Sequence, residues 1–281
     1  MKSFAPAVKW SGSKRSQAAE IIRRFPSHIN TYWEPFCGGC SVLRRLLDRP
    51  PLLTSVKRFV CSDLNGDLIG LWKEIKNDPE RLVIDYDSMW ACLNQDDDRE
   101  RKKRYFDEFR AQFNADRDPS KFLFIMRTTT NGMPRYNRER NFNNSFHITR
   151  NGIEPVSLRK ILNEWSCVLR ANDVEFRNCS YDQISPQAGD LVYMDPPYAA
   201  SSGMYFCTFD VDRFFKWVGT IPSDVKWLVS FDGKAGDDDY TYDVPNIYKT
   251  HEYLKSGNSS FRRTIGMKRS CEVMESLYRN F

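Results

Sequence analysis

Long apolar runs are missing from this chain of 281 residues. None approaches the ~20 consecutive apolar residues that cross a bilayer. The opening Met1-Lys2-Ser3-Phe4-Ala5-Pro6 lacks the apolar stretch of a secretory signal. No membrane partner and a cytoplasmic location are therefore expected. Histidine is scarce, at three (His28, His147, His251). The eight cysteines are scattered, and only Cys37 and Cys40 stand two residues apart. A structural zinc site needs a second ligand pair, so no metal is expected and the thiols read as reduced core residues. No lysine of a phosphate-gripping loop follows the glycines near residue 38, and no complete G-x-G-x-x-G is present. Repeats and low-complexity tracts are also lacking.

What is present is ample core material: 41% hydrophobic residues, 14% of all residues aromatic. The net charge of +5 and isoelectric point near 8.7 are mildly basic, compatible with a polyanionic partner without requiring one. At this length the chain is one large domain or one domain with an insertion.

The opening third reads as helix, strand, glycine turn, helix, strand. Ala18, Ala19, Ile21, Ile22 and Phe25 make a helical stripe. Thr31-Tyr32-Trp33 leads as a strand into Glu34-Pro35-Phe36-Cys37-Gly38-Gly39, and Val42, Leu43, Leu46 and Leu47 continue as a helix. Arg58 to Asp63 is a short strand ending in an acid. That order opens a nucleotide-binding α/β unit. It stops near residue 70. The polar middle is helical in places, and the run Asp96 to Arg104 is a solvated helix face or loop. A helical stripe resumes over 157–169, strands follow at 191–194 and 225–231, and the tail from about 246 alternates like hairpin strands. The expected fold class is α/β, a Rossmann-like sheet flanked by helices. Residues 1–70 and 156–281 would form the catalytic domain, split by a mainly helical, hairpin-bearing insertion over 71–155.

Three local patterns carry chemistry. Glycines after the first strand let a ligand approach the backbone, and Asp63, ending the next strand, is spaced to accept ribose hydroxyls. A nucleoside such as S-adenosylmethionine suits this better than a dinucleotide. A tight strand–helix turn with Asp63 as a cap explains the same residues. The second pattern is Asp195-Pro196-Pro197-Tyr198 at a strand end. The prolines stiffen the turn and remove two donors. The Asp195 carboxylate and the Pro196 carbonyl then face a planar amino group as two acceptors beside the Tyr198 ring. A plain diproline turn is the alternative. The third is a basic stretch: from 121 to 150, six cations (Lys121, Arg127, Arg135, Arg138, Arg140, Arg150) stand against one acid, Glu139. Arginine and asparagine read base edges in the major groove, and a solvated loop accounts for the charges as well. Arg262, Arg263, Lys268 and Arg269 form a second basic cluster that suits phosphate contact or a surface hairpin equally.

Taken in order, the motifs resemble those of the Dam-type DNA adenine methyltransferases, over nearly the whole chain. Lys9-Trp10-Ser11-Gly12-Ser13-Lys14, Glu34 to Gly39, Ser62-Asp63-Leu64-Asn65, Asn131 to Asn137 with Phe142-Asn143, and Asp195 to Tyr198 are similar to that family's signatures. Two departures stand out: Cys40 occupies a position where that family usually has glycine, and Glu139-Arg140-Asn141 lacks a glycine often found before Phe-Asn. The resemblance implies a seven-stranded Rossmann-like domain with the recognition insertion ahead of Asp195. It implies an S-adenosylmethionine site lined by Trp10, Lys14, Phe36, Gly38, Asp63 and Asp195, with Tyr181 on the adenine ring. It implies catalysis by Asp195, Pro196 and Tyr198 on an adenine flipped out of double-stranded DNA. DNA contacts would come from Arg127, Asn131, Arg135, Asn137, Arg138 and Asn143. A cytosine amino group as target, or a catalytically silent DNA-binding regulator of the same fold, are the competing readings. A restriction endonuclease would be a separate chain, since no nuclease motif is present here.

Overall fold

The computed structural model describes residues 4–48, 55–147, 149, 151–198, 209–258 and 272–281. Along the chain the elements are α1 (Ala18–Arg23), β1 (His28–Glu34), α2 (Ser41–Leu47), β2 (Ser55–Asp63), α3 (Gly66–Asn77), α4 (Pro79–Leu93), α5 (Arg99–Asp116), α6 (Pro119–Thr128), α7 (Pro155–Arg170), β3 (Val174–Asn178), β4 (Leu191–Met194), α8 (Val211–Val218), β5 (Lys226–Ala235), β6 (Asp238–Asp239), β7 (Thr250–Asn258) and β8 (Glu272–Arg279). No helix among the described residues is long and apolar enough to cross a membrane. The chain divides into two compact units. A sheet unit spans 14–62 and most of the chain after 178, and a helical unit takes the N-terminal residues to Ser13 and 63–178. The helical unit is therefore larger than the 71–155 insertion read from sequence. It also includes α3, α7 and β3.

The sheet unit orders its strands β2-β1-β4-β5-β8-β7, with β6 paired to β5. β2, β1, β4 and β5 are parallel, whereas β8 and β7 are antiparallel additions. Strands buried on both faces read as unbroken apolar runs, which is why Leu191-Val192-Tyr193-Met194 shows no alternation; all four are fully buried. Val192 and Met194 join Trp33, Phe214, Phe215, Trp227, Val229, Phe231 and Tyr278 in one cluster. Tyr193 turns to the other face, 6.3 Å from the Phe25 ring. β1 has β2 on one side and β4 on the other, so the strand order reverses there. In such sheets ligands bind at the carboxyl ends of the strands beside this switch point. Glu34 ends β1, and Asp195 directly follows β4 at that same end.

Asp190 locks this junction at its opposite end. Its buried carboxylate accepts the Thr31 backbone N–H at Oδ1 and the Trp33 indole N–H and Gln187 N–H at Oδ2, each at 2.9 Å. β1 and the approach to β4 are thereby held in one register.

In the helical unit the boundaries follow local chemistry. Asn65, Asp78, Asp98 and Asp118 cap α3 to α6 with side-chain acceptors, and Pro79, Pro119 and Pro155 open their helices. The stripe over 157–169 is α7, which buries Leu158, Leu162, Trp165 and Leu169. Trp72 packs on Trp165 at 4.9 Å and stacks on Phe176 of β3 at 5.7 Å. The charged run from Asp96 becomes the capped start of α5. One of its cations is not solvated: Lys102 is buried and pairs with Asp97 and Asn151.

Asp190→Ala leaves three donors without their acceptor at the sheet junction. It should lower the unfolding free energy by about 3 kcal/mol, whereas Asp190→Asn should lose markedly less. Urea denaturation of the two variants checks the ranking.

Candidate active site

The turn after β1 needs backbone that most residues avoid. Gly38 sits at φ 44° and Cys40 at φ 50°, both left-handed. Glycine takes this conformation at little cost, and Cys40 takes it while fully buried at the start of α2. The position that departs from the resembled family thus keeps a glycine-like backbone. The turn is tied down by Cys37 N–H to the Ser62 carbonyl, 3.0 Å, and Cys40 N–H to the Cys37 carbonyl, 2.7 Å. Burial pushes the thiols of Cys40 and Cys61 up from their ordinary values.

Beneath the turn, Glu34 Oε2 accepts the Tyr32 hydroxyl at 2.7 Å and the Leu43 backbone N–H at 3.1 Å. The strand end, the turn and α2 are bound through one carboxylate. Burial pushes that carboxyl up to about 8; the Tyr32 hydrogen bond opposes the rise, and the negative charge of Asp195 adds to it.

Beside the turn lies an aromatic wall. Phe36 stacks on Tyr181 with centroids 5.4 Å apart and meets Phe209 and Phe214 edge-on at 5.8 Å. Tyr181 also packs edge-on against Trp217 at 5.1 Å. Phe36 and Tyr181, both expected at the cofactor, are brought together. A third ring between them would need roughly 7 Å, twice a carbon–carbon contact, so a ligand ring belongs against the pair's half-buried surface rather than within the stack.

At the end of β4 the site is electrostatic. Lys14 Nζ lies 2.9 Å from Asp195 Oδ1 and 3.3 Å from Glu275 Oε2. The Tyr198 hydroxyl reaches the same two oxygens, at 3.3 Å and 3.0 Å. Ser256 donates to Glu275 Oε1 at 2.8 Å. Side-chain exposures of 6% for Lys14, 18% for Asp195 and 13% for Glu275 leave the ring nearly dry. Burial lifts Asp195 to about 6 although Lys14 pulls it down, and Glu275 adds to the rise. Burial alone would lower Lys14, but the two carboxylates hold it above its ordinary value. For Glu275 burial pushes upward, and Lys14, Ser256 and Tyr198 bring it below its ordinary value.

Lys14, read from sequence as a cofactor contact, therefore sits within the acidic centre as its counter-charge. Asp195 and Tyr198 come together as expected, and Pro196 is buried between them in sequence. Glu275 was not singled out in the sequence. It lies in the hairpin tail, which carries no motif. Trp10 and Asp63 belong to the helical unit, where Asp63 Oδ1 accepts the Asn65 N–H at 3.0 Å.

The basic stretch of the helical unit is a small hairpin. Thr129 bridges Phe146 and Tyr136 bridges Phe142. Asn144 Nδ2 holds the carbonyls of Thr130 and Met133, Asn114 clasps both backbone groups of Phe142, and Tyr136 donates to Asp67 at 2.8 Å. On this anchored base Arg135, Asn137, Arg138 and Asn143 are exposed. The Asn137 carboxamide oxygen already accepts Asn141 N–H at 2.8 Å, shaping the tip. Asn131 lies in the 3-10 turn Thr130–Gly132. Arg127 corrects the sequence reading: it is turned inward, and its guanidinium donates to the carbonyls of Pro6, at 2.8 Å, and Ala7. A cation at the end of a largely apolar helix was indistinguishable from a DNA contact by charge alone. Lys121 is paired with Asp116. Arg150 and the second cluster at Arg262, Arg263, Lys268 and Arg269 lie outside the described residues.

The raised Glu34 sets a pH dependence. The folded state binds this proton more tightly than the unfolded chain, so the stability it contributes is greatest below the ordinary glutamate value. That contribution is lost as pH rises towards about 8. Glu34→Gln should flatten this decline, gaining on the wild type by about 1.4 kcal/mol per pH unit of displacement at most. Urea midpoints measured from pH 5 to 9 read it directly.

Residues 10–215 match the model of the D12 class N6 adenine-specific DNA methyltransferases. A type II methyltransferase, M1.LlaDCHI of Lactococcus lactis subsp. cremoris, is 26% identical over 70% of this chain and 66% of its own length. The type II methyltransferase M.MjaIII of Methanocaldococcus jannaschii is 29% identical over 69% and 68%. The DNA adenine methylase of Escherichia coli K12 is 29% identical over 72% and 68%. The match thus spans about two thirds of those proteins. Among solved structures, the rRNA methyltransferase aviRa of Streptomyces viridochromogenes aligns over 98% of this chain and 87% of that one, at 13% identity and a TM-score of 0.40, too loose a likeness to carry an argument. With the family model covering the strand-end acid, the glycine turn and the basic hairpin together, this chain belongs to the D12 class N6 adenine-specific DNA methyltransferase family.

Proposed function

We propose that the protein transfers a methyl group from S-adenosylmethionine to the exocyclic amino nitrogen of an adenine flipped out of double-stranded DNA. The observation that carries this is the nearly dry Asp195–Tyr198 centre at the carboxyl end of β4, beside the switch point of the sheet. The left-handed Gly38 and the half-buried Phe36–Tyr181 pair at the same sheet end suit a nucleoside with no phosphate to hold. When bound, the donor supplies an electrophilic methyl carbon.

The adenine amino group is a weak nucleophile because its lone pair is delocalised into the ring. Asp195 and the Pro196 carbonyl would each accept one of its hydrogens, drawing the nitrogen toward tetrahedral geometry and freeing the lone pair for the methyl carbon. Asp195, lifted to about 6, is ionised near neutrality yet basic enough to take the released proton. The remainder is alignment in a site closed to water, which is worth about 7–11 kcal/mol when two reactants are well oriented. Extruding the base costs a few kcal/mol, and stacking on Tyr198 offsets about 1–3 kcal/mol of it. Arg135, Asn137, Arg138 and Asn143 on the anchored hairpin are the candidates for reading the site, with Asn131 at its root.

Asp195→Ala should abolish methyl transfer while leaving DNA affinity within a few-fold. Nucleoside digestion with mass spectrometry identifies the product; methylcytosine without methyladenine would replace the adenine reading by its cytosine rival. Absence of any methyl product, with DNA still bound, would favour a silent regulator. Arg135→Ala should weaken binding or relax site choice by about 1–3 kcal/mol, checked by methylation of a randomised duplex library.

A further inference from the structure

We propose that Glu275 on β8 is a positioning residue of the methyl-transfer centre, holding Lys14 and the Tyr198 hydroxyl so that Asp195 remains a free acceptor. The proposal rests on the reading of Asp195 as the acceptor of the amino hydrogen. Glu275 lies sixty residues beyond the matched family region, which ends at 215.

Geometry carries the argument. One oxygen of each carboxylate, Asp195 Oδ1 and Glu275 Oε2, faces both Lys14 Nζ and the Tyr198 hydroxyl. Asp195 enters this ring through Oδ1, which leaves Oδ2 outside it for an incoming amino group. The tyrosine has one hydroxyl hydrogen and two acceptors. Glu275 is the nearer, at 3.0 Å against 3.3 Å, and takes it. Lys14 is likewise shared between two carboxylates rather than given wholly to Asp195. The other oxygen of Glu275 is fixed by Ser256, so its carboxylate cannot rotate away without breaking that bond. Without Glu275, both the lysine charge and the tyrosine hydrogen would fall on Asp195 and weaken it as a base.

In the proposed step the N–CH3 bond forms as the S–CH3 bond breaks, with the electron pair leaving on sulfur. The proton released by the amino nitrogen goes to Asp195. Glu275 touches neither reacting atom; it acts only through Lys14 and Tyr198. The charged and titratable groups facing this pair are Lys14, Tyr198, Glu34, Tyr193 and the Ser256 hydroxyl.

Glu275→Gln keeps the shape and removes the charge. It should lower kcat about tenfold at unchanged KM for the donor, and move the acid limb of the kcat–pH profile down by about one unit, the usual size for losing a like charge a few ångströms away. Glu275→Asp keeps the charge but shortens the reach. It should leave the acid limb in place while still lowering kcat. DNA affinity and thermal midpoint, measured in parallel, separate an electrostatic effect from a folding one. A Glu275→Gln profile superposable on the wild type in both kcat and pH overturns the proposal. If that variant does not fold, an undiminished kcat for Glu275→Asp overturns it instead. A wild-type enzyme with no methyl transfer at all would instead sink the underlying reading of Asp195.

Discussion

A single buried ammonium between two carboxylates sets the electrostatics of the strand-end site. Burial in a nearly dry pocket at a strand end is the largest influence on Asp195 and pushes its carboxyl upward. Lys14 pulls it back down, to about 6. Glu275 prevents the lysine from overcorrecting. With this one cation missing, neither group could stay buried in its charged form, because an unpaired charge in such surroundings costs several kcal/mol. The ring is thus a balance of three charges, and each depends on the other two for its place inside.

The sheet explains why these groups meet. Parallel strands deliver their carboxyl ends to one side, and the reversal of strand order at β1 opens a crevice there. Asp190 fixes the far end of the junction by accepting three donors, and Glu34, accepting two, fixes the carboxyl end of β1 to the helix that follows. Through Asp190 the register between β1 and β4 does not rest on their short two-pair ladder alone, while Glu34 ties β1 to α2.

Much of this was legible in the sequence because the information is local. Glycines after a strand, an acid with two prolines, and aspartates before helices each declare themselves within a few residues. Lys14 and Asp195 were visible as site residues, but the second partner of Lys14 was not. The 261 positions separating it from Glu275 hide a contact made only by tertiary folding. Arg127 failed for the opposite reason, as its charge advertised an exposed role while the helix around it, with Phe124, Ile125 and Met126 buried, placed it inward. The strand β3 passed unread because five residues with Val174 and Phe176 inside and Glu175 and Arg177 outward are too few to establish a period. Helix α8 likewise offers only Phe214, Phe215 and Val218 to the core in eight residues.

The strand that carries Glu275 is the last of those described, yet it sits between β5 and β7 rather than at the rim. Among the described strands β7 pairs with β8 alone, so the two join β5 as a hairpin whose inner strand is made second. At about 5–20 residues per second, Glu275 appears roughly 4–15 s after Tyr198. Until then the nascent chain holds the whole matched family region yet lacks the second carboxylate that faces Lys14. The ring of charges around Lys14 is thus closed only when the inner strand of that hairpin docks on β5.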